Sequence, residues 1–412
     1  MGDVLSPNDF SRRRVRYRPG SPSLRPALLT ACDKADSRQS CRPAYRRIVR
    51  DFSTGFGRES QSQTPYRFLN MKIRVIRVDL PLKHVLTYAR GSISVARSIV
   101  VELEQDGLRG HGEVQENPYY QITVEELTEL VQNTKEILDE YALADPLAMW
   151  RFLQPVLGES RYAQTVVDMA ACDLWGKMQN RPLWQIWRMR PNAPYLPTSF
   201  TLGIDTVDQV MERFHENPNW PIYKIKMGGK HDMNTVRELR KATDAVFRVD
   251  VNGAWTVEKT LHNAPELKKL GVEFIEQPLP PDDWEGMEIL KRQCPLPIMA
   301  DESCACEADI DRCAEYFFGV NLKPCKVGGL TPMRQAMLHA REKGLKILLG
   351  SGIESTIAMS ATAQFAALAD YLDLDGPQLI EKKVGTGVRS ENGVLTFPKD
   401  DDTGTGIRVS FR

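Results

Sequence analysis

Residues 245–276 read AVFRVDVNGAWTVEKTLHNAPELKKLGVEFIE, and this stretch decides the fold. It opens on an apolar run, Ala245–Val251, and closes on another, Val272–Glu276. Between them lies the amphipathic run Val257–Leu270. Short runs rich in β-branched and aromatic residues predict strands, and the three-to-four spacing between them predicts a helix. Strand, helix and strand in that order imply a parallel pair joined by a crossover. The rhythm repeats on both sides. Further strands are predicted at Thr198–Leu202, Ile222–Met227, Ile298–Asp301, Gly319–Lys323, Leu345–Leu349 and near Leu372. Helices are predicted at Thr206–Phe214, Met233–Asp244, Glu307–Ala314, Pro332–Lys343 and Thr356–Ala369. About eight such strands close most economically into a (β/α) barrel.

Upstream of the barrel the pattern changes. Lys72–Val78 alternates with period two, Ser98–Leu103 leads into the turn signal Gln105-Asp106-Gly107, and a third short strand falls around Gly110-His111-Gly112-Glu113. Helical stretches run from Val124 to about Tyr141 and from Ala163 to about Lys177. These make an α+β unit over 71–195, with the barrel over 196–376. Residues 1–70 differ again. They carry thirteen Arg, one Lys and six acidic residues, a net of +8, with no sustained period. Such a segment buries too little apolar surface to offset its ordering entropy. It reads as a disordered or non-native basic extension; a transit peptide and an upstream start are the alternative readings.

The whole chain has 412 residues, 42% hydrophobic and 26% charged, enough to bury a sizeable core. No apolar run approaches the roughly 18 residues of a membrane helix. Lys+Arg equals Asp+Glu, 54 each, so neither nucleic acid nor an anionic membrane is an expected partner. The eight cysteines show no repeating spacing, which argues for free thiols in a reducing cytoplasm rather than a disulfide framework. Cys304-x-Cys306 with Cys313 fits no standard zinc spacing.

Charged residues end successive strands: Lys226, Asp250, Glu276, Asp301 and Lys323, at intervals of 24, 26, 25 and 22 residues. Each interval is one strand-helix unit. A barrel puts equivalent positions of successive units on its C-terminal rim, so the five should converge on one pocket. Three carboxylates that close raise one another's pKa, and a divalent cation resolves the conflict. All-oxygen ligation favours a hard ion such as Mg²⁺. Lys224 and Lys226, two apart on a strand, point the same way. Burial and a cationic neighbour lower a lysine pKa, so Lys226 is expected as a base tuned by Lys224, with Lys323 facing it across the metal. This set suits removal of a proton from the carbon next to a carboxylate.

Lys224-x-Lys226, Asp250-Val251-Asn252-Gly253, Glu276-Gln277-Pro278-Leu279, Asp301-Glu302-Ser303 and Asn321-Leu322-Lys323-Pro324 with Val327-Gly328-Gly329 resemble the enolase superfamily, muconate-cycloisomerase-like subgroup. The resemblance runs from about Met71 to the C-terminus. It implies a (β/α)7β modified TIM barrel with an N-terminal α+β capping domain, completed by about residues 377–412. It implies Mg²⁺ on Asp250, Glu276 and Asp301, acid/base work by Lys226 and Lys323, and Asn252 and Glu302 as residues that orient the ligands. Asp373-Leu374-Asp375-Gly376 is similar to the Asp-x-Asp motif with which dipeptide epimerases hold a substrate ammonium group. Ser351-Gly352-Ile353-Glu354-Ser355 also resembles that group, with Ser351 and Ile353 as substrate contacts. The expected activity is therefore Mg²⁺-dependent dipeptide epimerisation by two-lysine proton transfer through an enediolate, on a small-molecule dipeptide substrate; a homo-oligomer is an open reading. N-acylamino-acid racemisation with o-succinylbenzoate synthesis, muconate cycloisomerisation, and a non-catalytic barrel paralogue stay open. The loop Lys83–Ser98 is expected to close over the substrate. Glutamate-selective members place a basic residue there; Arg90 and Arg97 are the candidates, although the matching position falls nearer Gly91. His111 is read as a turn contact in the capping domain, and Trp255 as packing at the barrel rim.

Overall fold

The computed structural model describes residues 71–158, 160–189, 196–382, 384–398 and 402–409. The reading of residues 1–70 lies outside them. Three antiparallel strands open the described chain: β1 (Lys72–Tyr88), β2 (Gly91–Gln105) and β3 (Leu108–Gln115). Both β1 and β2 run far beyond the expected limits. The segment Lys83–Ser98 is therefore a hairpin rather than a loop, with Tyr88 paired to Gly91 across a tight turn and a bulge between Pro81 and Leu86. Leu80 and Leu82 alternate inward onto Ala96, Ile353 and Ile380, and with Leu86 and Ile93 packed beside them this apolar seam carries the hairpin past Lys83 and His84 to its tip.

Helix Arg161–Met178 lies across the sheet. A Cβ at Gly110 or Gly112 would strike its backbone at Ala170 or Val166, so the two glycines of β3 permit the close approach. His111, between them, is a buried strand residue whose ring meets Glu102, not a turn contact. The helix expected from Val124 to Tyr141 stops at Gln132 and resumes only over Lys135–Leu138. Thr134 Oγ1 donates back to Val131 O (2.7 Å), a local bond that competes with the helical ladder. Two of the longer helices among the described residues were not foreseen. Pro146–Leu157 and Trp284–Gln293 are each started by an aspartate, Asp145 and Asp283, that accepts from a first-turn amide.

The second sheet has eight parallel strands in chain order: β4 (Phe200–Leu202), β5 (Ile222–Lys226), β6 (Val246–Asp250), β7 (Val272–Glu276), β8 (Ile298–Ala300), β9 (Gly319–Leu322), β10 (Lys346–Gly350) and β11 (Tyr371–Asp373). A parallel bridge from Thr198 to Leu372 joins the first strand to the last, so the sheet closes. Seven strand-to-strand crossovers carry helices that bury one face against the strands, as Val210 and Phe214 do from Val207–Glu216. The architecture is a (β/α)7β barrel with an N-terminal antiparallel cap. Helix Arg161–Met178 serves both cores: Ala170 and Leu174 pack in the cap, Met169 and Cys172 in the barrel. Its Asp168 accepts from Thr331 N (2.9 Å) at the start of helix Leu330–Glu342. The C-terminal segment returns to the cap, where Thr405 N donates to Asp173 (2.8 Å) and Glu381 N to Pro81 O (2.9 Å). Among the described residues no helix is long and apolar enough to cross a membrane.

Candidate active site

Strand register assembles the site. Lys226 is paired with Asp250, and Asp250 with Glu276, so three strands end side by side on one level. Asp301 and Lys323 directly follow β8 and β9. Asp250, Glu276 and Asp301 are all buried, and each offers an oxygen within 4.8 Å of the others. The spacing arithmetic thus located three carboxylates that do meet.

Their electrostatics are unequal. Burial pushes the Glu276 carboxyl up, and the charge of Asp250 pushes it further, to about 7. Burial also acts upward on Asp250, but Lys224 and Lys226 outweigh it and hold Asp250 low. Asp301 is likewise held well down against burial, by Lys323 and then Lys326. Glu276 Oε2 lies 2.9 Å from Lys224 Nζ, yet it has no well-angled hydrogen bond. Buried acids with one of them kept from ionising are the environment a cation would relieve. The donors are all oxygen, and they fit a hard divalent ion such as Mg²⁺.

Lys226 Nζ donates to Asp250 Oδ2 (2.7 Å) and Asn252 Oδ1 (3.3 Å), and Lys323 Nζ to Asp301 Oδ2 (2.8 Å). Lys224 differs from the expectation of a neighbour that tunes Lys226. Its amine contacts Asp250 (3.0 Å), Glu276 (2.9 Å) and Asp373 (2.8 Å). Burial acts to lower its pKa, but the charges of Asp250, Asp373 and Glu276 raise it well above the usual lysine value. Lys224 is a fixed cation among acids. Lys323 is also raised, since Asp301 outweighs burial. A desolvated lysine among three carboxylates feels the acids more than the lost water.

The remaining predicted residues meet at the same cavity. Lys224, Lys226, Lys323, Asp373, Asp375, Ser351 and Ile353 all line it. Ser199 Oγ donates to Asp373 Oδ1 (2.6 Å) and Thr201 N to Asp375 Oδ2 (2.6 Å). Burial, and then the charge of Asp373, push Asp375 up to about 6. Ser351 Oγ donates to Asp373 O (3.3 Å), and Ile353 N to Gln115 Oε1 (2.8 Å). Of the hairpin arginines, Arg90 lines the cavity, bonds Glu302 Oε1 (2.8 Å) and lies 3.8 Å over the Tyr119 ring. Arg97 is elsewhere, paired with Glu116 (3.2 Å) and Glu125 (2.5 Å). Trp255 is buried in the barrel core.

Three supporting residues escaped the sequence reading. Asn321 Nδ2 donates to Glu276 Oε1 (2.7 Å); its place two residues before Lys323 on one strand was the available signal. Lys326 Nζ donates to Asp301 Oδ1 and O, both at 2.8 Å, from the helical turn Pro324–Val327. Gln277, at φ +39°, ties two barrel loops: Asp301 N (3.0 Å) and Ser303 N (3.1 Å) donate to its Oε1, and its Nε2 donates to Ser303 Oγ (2.8 Å). Asn252, at φ +48°, donates to Glu302 Oε1 (3.2 Å). Non-glycine residues held in this left-handed region cost of order 1 kcal/mol or more, and such strain clusters at functional sites.

Comparison with known proteins agrees with this architecture. Residues 70–187 match the family model for the mandelate racemase / muconate lactonizing enzyme N-terminal domain, and residues 205–412 match the enolase C-terminal domain-like model. An L-Ala-D/L-amino acid epimerase from a Maribacter species is 41% identical over 80% of this chain and 97% of its own. A protein of the same name from Flavobacterium johnsoniae is 39% identical over 82% of this chain and 100% of its own. Among solved structures, the dipeptide epimerase from Methylococcus capsulatus, complexed with Mg and the dipeptide L-Arg-D-Lys, is 28% identical. It covers 83% of this chain and 100% of its own, with a TM-score of 0.75. The chain belongs to the enolase superfamily, as an isomerase of its racemase and epimerase kind, alongside the L-Ala-D/L-amino acid epimerases.

Proposed function

We propose that this protein is a Mg²⁺-dependent dipeptide epimerase that inverts the α-carbon of the C-terminal residue. The observation that carries the reading is one cavity that gathers two lysines, a buried carboxylate triad and a separate acid pair. Lys226, Lys323, Asp373 and Asp375 line it, and the acids Asp250, Glu276 and Asp301 lie together beside the lysines. The acid pair would hold the substrate's ammonium group by charge-assisted hydrogen bonds. It is incompletely neutralised: Lys224 bonds Asp373, and Asp375 is pushed up by burial and its neighbour. That imbalance favours a cationic ligand over an N-acylated one, which brings no charge to the pair.

Asp250, Glu276 and Asp301 would hold Mg²⁺. When bound, it supplies positive charge to the substrate carboxylate while the α-proton is absent. Lys226 and Lys323 then act as acid and base from separate strand ends: one removes the α-proton, and the other returns a proton on the opposite face. Lys224 adds fixed positive charge beside them. Asn252 and Glu302 orient the lysine and the ligands. Ser351 and Ile353 complete the wall. Residues 71–195 with 377–412 form the cap, and 196–376 the catalytic barrel.

Proton NMR of dipeptide pools in D₂O with Mg²⁺ tests the reading. Loss of α-proton signal with appearance of the epimer is expected; inertness toward acidic, basic and apolar dipeptides alike would sink it. Replacing Asp373 with Ala should lower kcat/KM for dipeptides by about a hundredfold, the worth of a hydrogen bond to a charged group. Retained dipeptide activity, or activity gained on N-acyl amino acids, would argue for the racemase relatives instead.

A further inference from the structure

The tip of the β1–β2 hairpin sits on one side of the barrel mouth. Ile204 N, after β4, donates to Thr87 O (2.7 Å). A Cβ on Gly228, after β5, would come within 2.7 Å of Ala89 Cβ. A Cβ on Gly253, after β6, would lie 3.3 Å from Arg90 Nη2. The loops after β5 and β6 are those that follow Lys226 and Asp250.

From that seat Arg90 reaches inward. Its Nη1 donates to Glu302 Oε1 (2.8 Å), while the Tyr119 ring backs the guanidinium at 3.8 Å. The same oxygen of Glu302 accepts from Asn252 Nδ2 (3.2 Å), and Asn252 Oδ1 accepts from Lys226 Nζ (3.3 Å). The side chains of Arg90 and Glu302 are 21% and 7% exposed, so little water competes for the pair. With a cation on Asp250, Asn252 would be the hydrogen-bond partner left to Lys226. Lys323 is held differently. It bonds Asp301, which the barrel's own Lys326 anchors from the other side.

We propose that Arg90 is a positioning residue: seated on the barrel, it holds Lys226 in its working place through Glu302 and Asn252, and it serves Lys226 far more than Lys323. The cap therefore bears more on one of the two bases than on the other. The Arg90 guanidinium braces the barrel through the Nη1 bond to Glu302, with the Tyr119 ring behind it.

This rests on the two-lysine reading, and two measurements separate their fates. In the first, the full chain loaded with Mg²⁺ is acetylated with limiting acetic anhydride, and mass spectrometry reads the label on Lys226 and Lys323. Arg90→Met and Glu302→Gln should each raise the Lys226-to-Lys323 labelling ratio several-fold, and Arg90→Lys should raise it less. An unchanged ratio in both Arg90→Met and Glu302→Gln overturns the inference, and so does a ratio that falls. General loosening would expose both lysines together and leave the ratio flat. In the second, α-proton exchange in D₂O is followed separately for the two epimers of one dipeptide. Lys226→Ala identifies the epimer whose proton Lys226 takes. Arg90→Met should slow exchange of that epimer by on the order of tenfold, as a small misplacement of a catalytic group does, and slow the other less. Equal slowing of both overturns the inference. If the wild type exchanges neither, the epimerase reading fails, while the labelling ratio still decides the role of Arg90.

Discussion

The barrel rim and the tip of the cap hairpin face the same cavity, and they are built by different means. On the rim, each side chain occupies the last place of a strand, and parallel register puts Lys226, Asp250 and Glu276 on one level. At the hairpin tip, Ala89 and Arg90 lie in a turn whose position is set by contacts with four separate barrel loops, after β4, β5, β6 and β8. Repeated geometry suffices to gather reactive groups. A surface that closes over them needs contacts made between distant parts of the chain.

The sharpest way to break the comparison is at the rim. Lys226→Ala and Lys323→Ala should each lower epimerisation by about a thousandfold or more, the worth of a positioned general acid or base. Each variant should still exchange the α-proton of a single epimer, a different one in each case. Near-full epimerisation by either, measured by polarimetry, would remove the two-base mechanism.

The cap's own packing comes next. Gly112→Val drives a side chain into the helix backbone at Val166, and should cost about 3 kcal/mol or more of stability. Thermal unfolding followed by circular dichroism measures it. A melting temperature within a degree or so of the wild type would mean that the helix does not lie against β3 as described. The hairpin seat should respond more mildly. Gly228→Val both pushes on Ala89 and strains a backbone held at φ +128°, and should raise KM for dipeptides by about tenfold, or about 1.4 kcal/mol, with an unchanged far-ultraviolet spectrum. An unchanged KM would detach the hairpin tip from substrate binding.

The smallest effect belongs to the outer helices, remote from both regions. His339 meets Glu307 (2.6 Å) and Asp311 (3.1 Å), joining two barrel helices. Burial acts to lower its pKa, but the bonds to these acids outweigh it and raise it above the usual 6.5. A histidine raised on folding binds its proton more tightly in the folded state. Its stabilisation is therefore complete below the ordinary value and is lost as pH rises through the raised one. Being largely solvent-screened, it should amount to no more than about 0.5 kcal/mol. The change in denaturant midpoint across this window should be smaller in His339→Gln than in the wild type. Equal slopes in the two proteins would remove the contribution.

Legibility in the sequence followed the same division. The barrel strands were readable to within a residue or two because short apolar runs alternate with amphipathic ones, and Val272–Glu276 matches at both ends. The five charged strand ends were readable because one strand-helix unit has a nearly constant length. The hairpin was not, since Lys83, His84 and Arg90 break the alternation that marks a strand, and its pairing is sustained by Leu80, Leu82 and their distant partners Ile353 and Ile380. The break after Gln132 turned on one threonine hydroxyl that bonds back to its own chain. Gln277 and Lys326 lie in plain view in the sequence, but their partners are 24 and 25 residues away, at Asp301.

By itself the sequence determined the barrel, the ring of lysines and carboxylates at its mouth, and the acid pair at its last strand. Periodicity and unit length are local properties, and a closed parallel sheet converts them into position. Only the tertiary structure decided that Lys224 bridges acids on three strands rather than tuning its neighbour, that Arg90 faces the cavity while Arg97 turns away, and that the hairpin braces the Lys226 side of the mouth. Those outcomes depend on which charges and which loops come within a few ångströms of one another. No spacing along a chain encodes that distance until the core has folded.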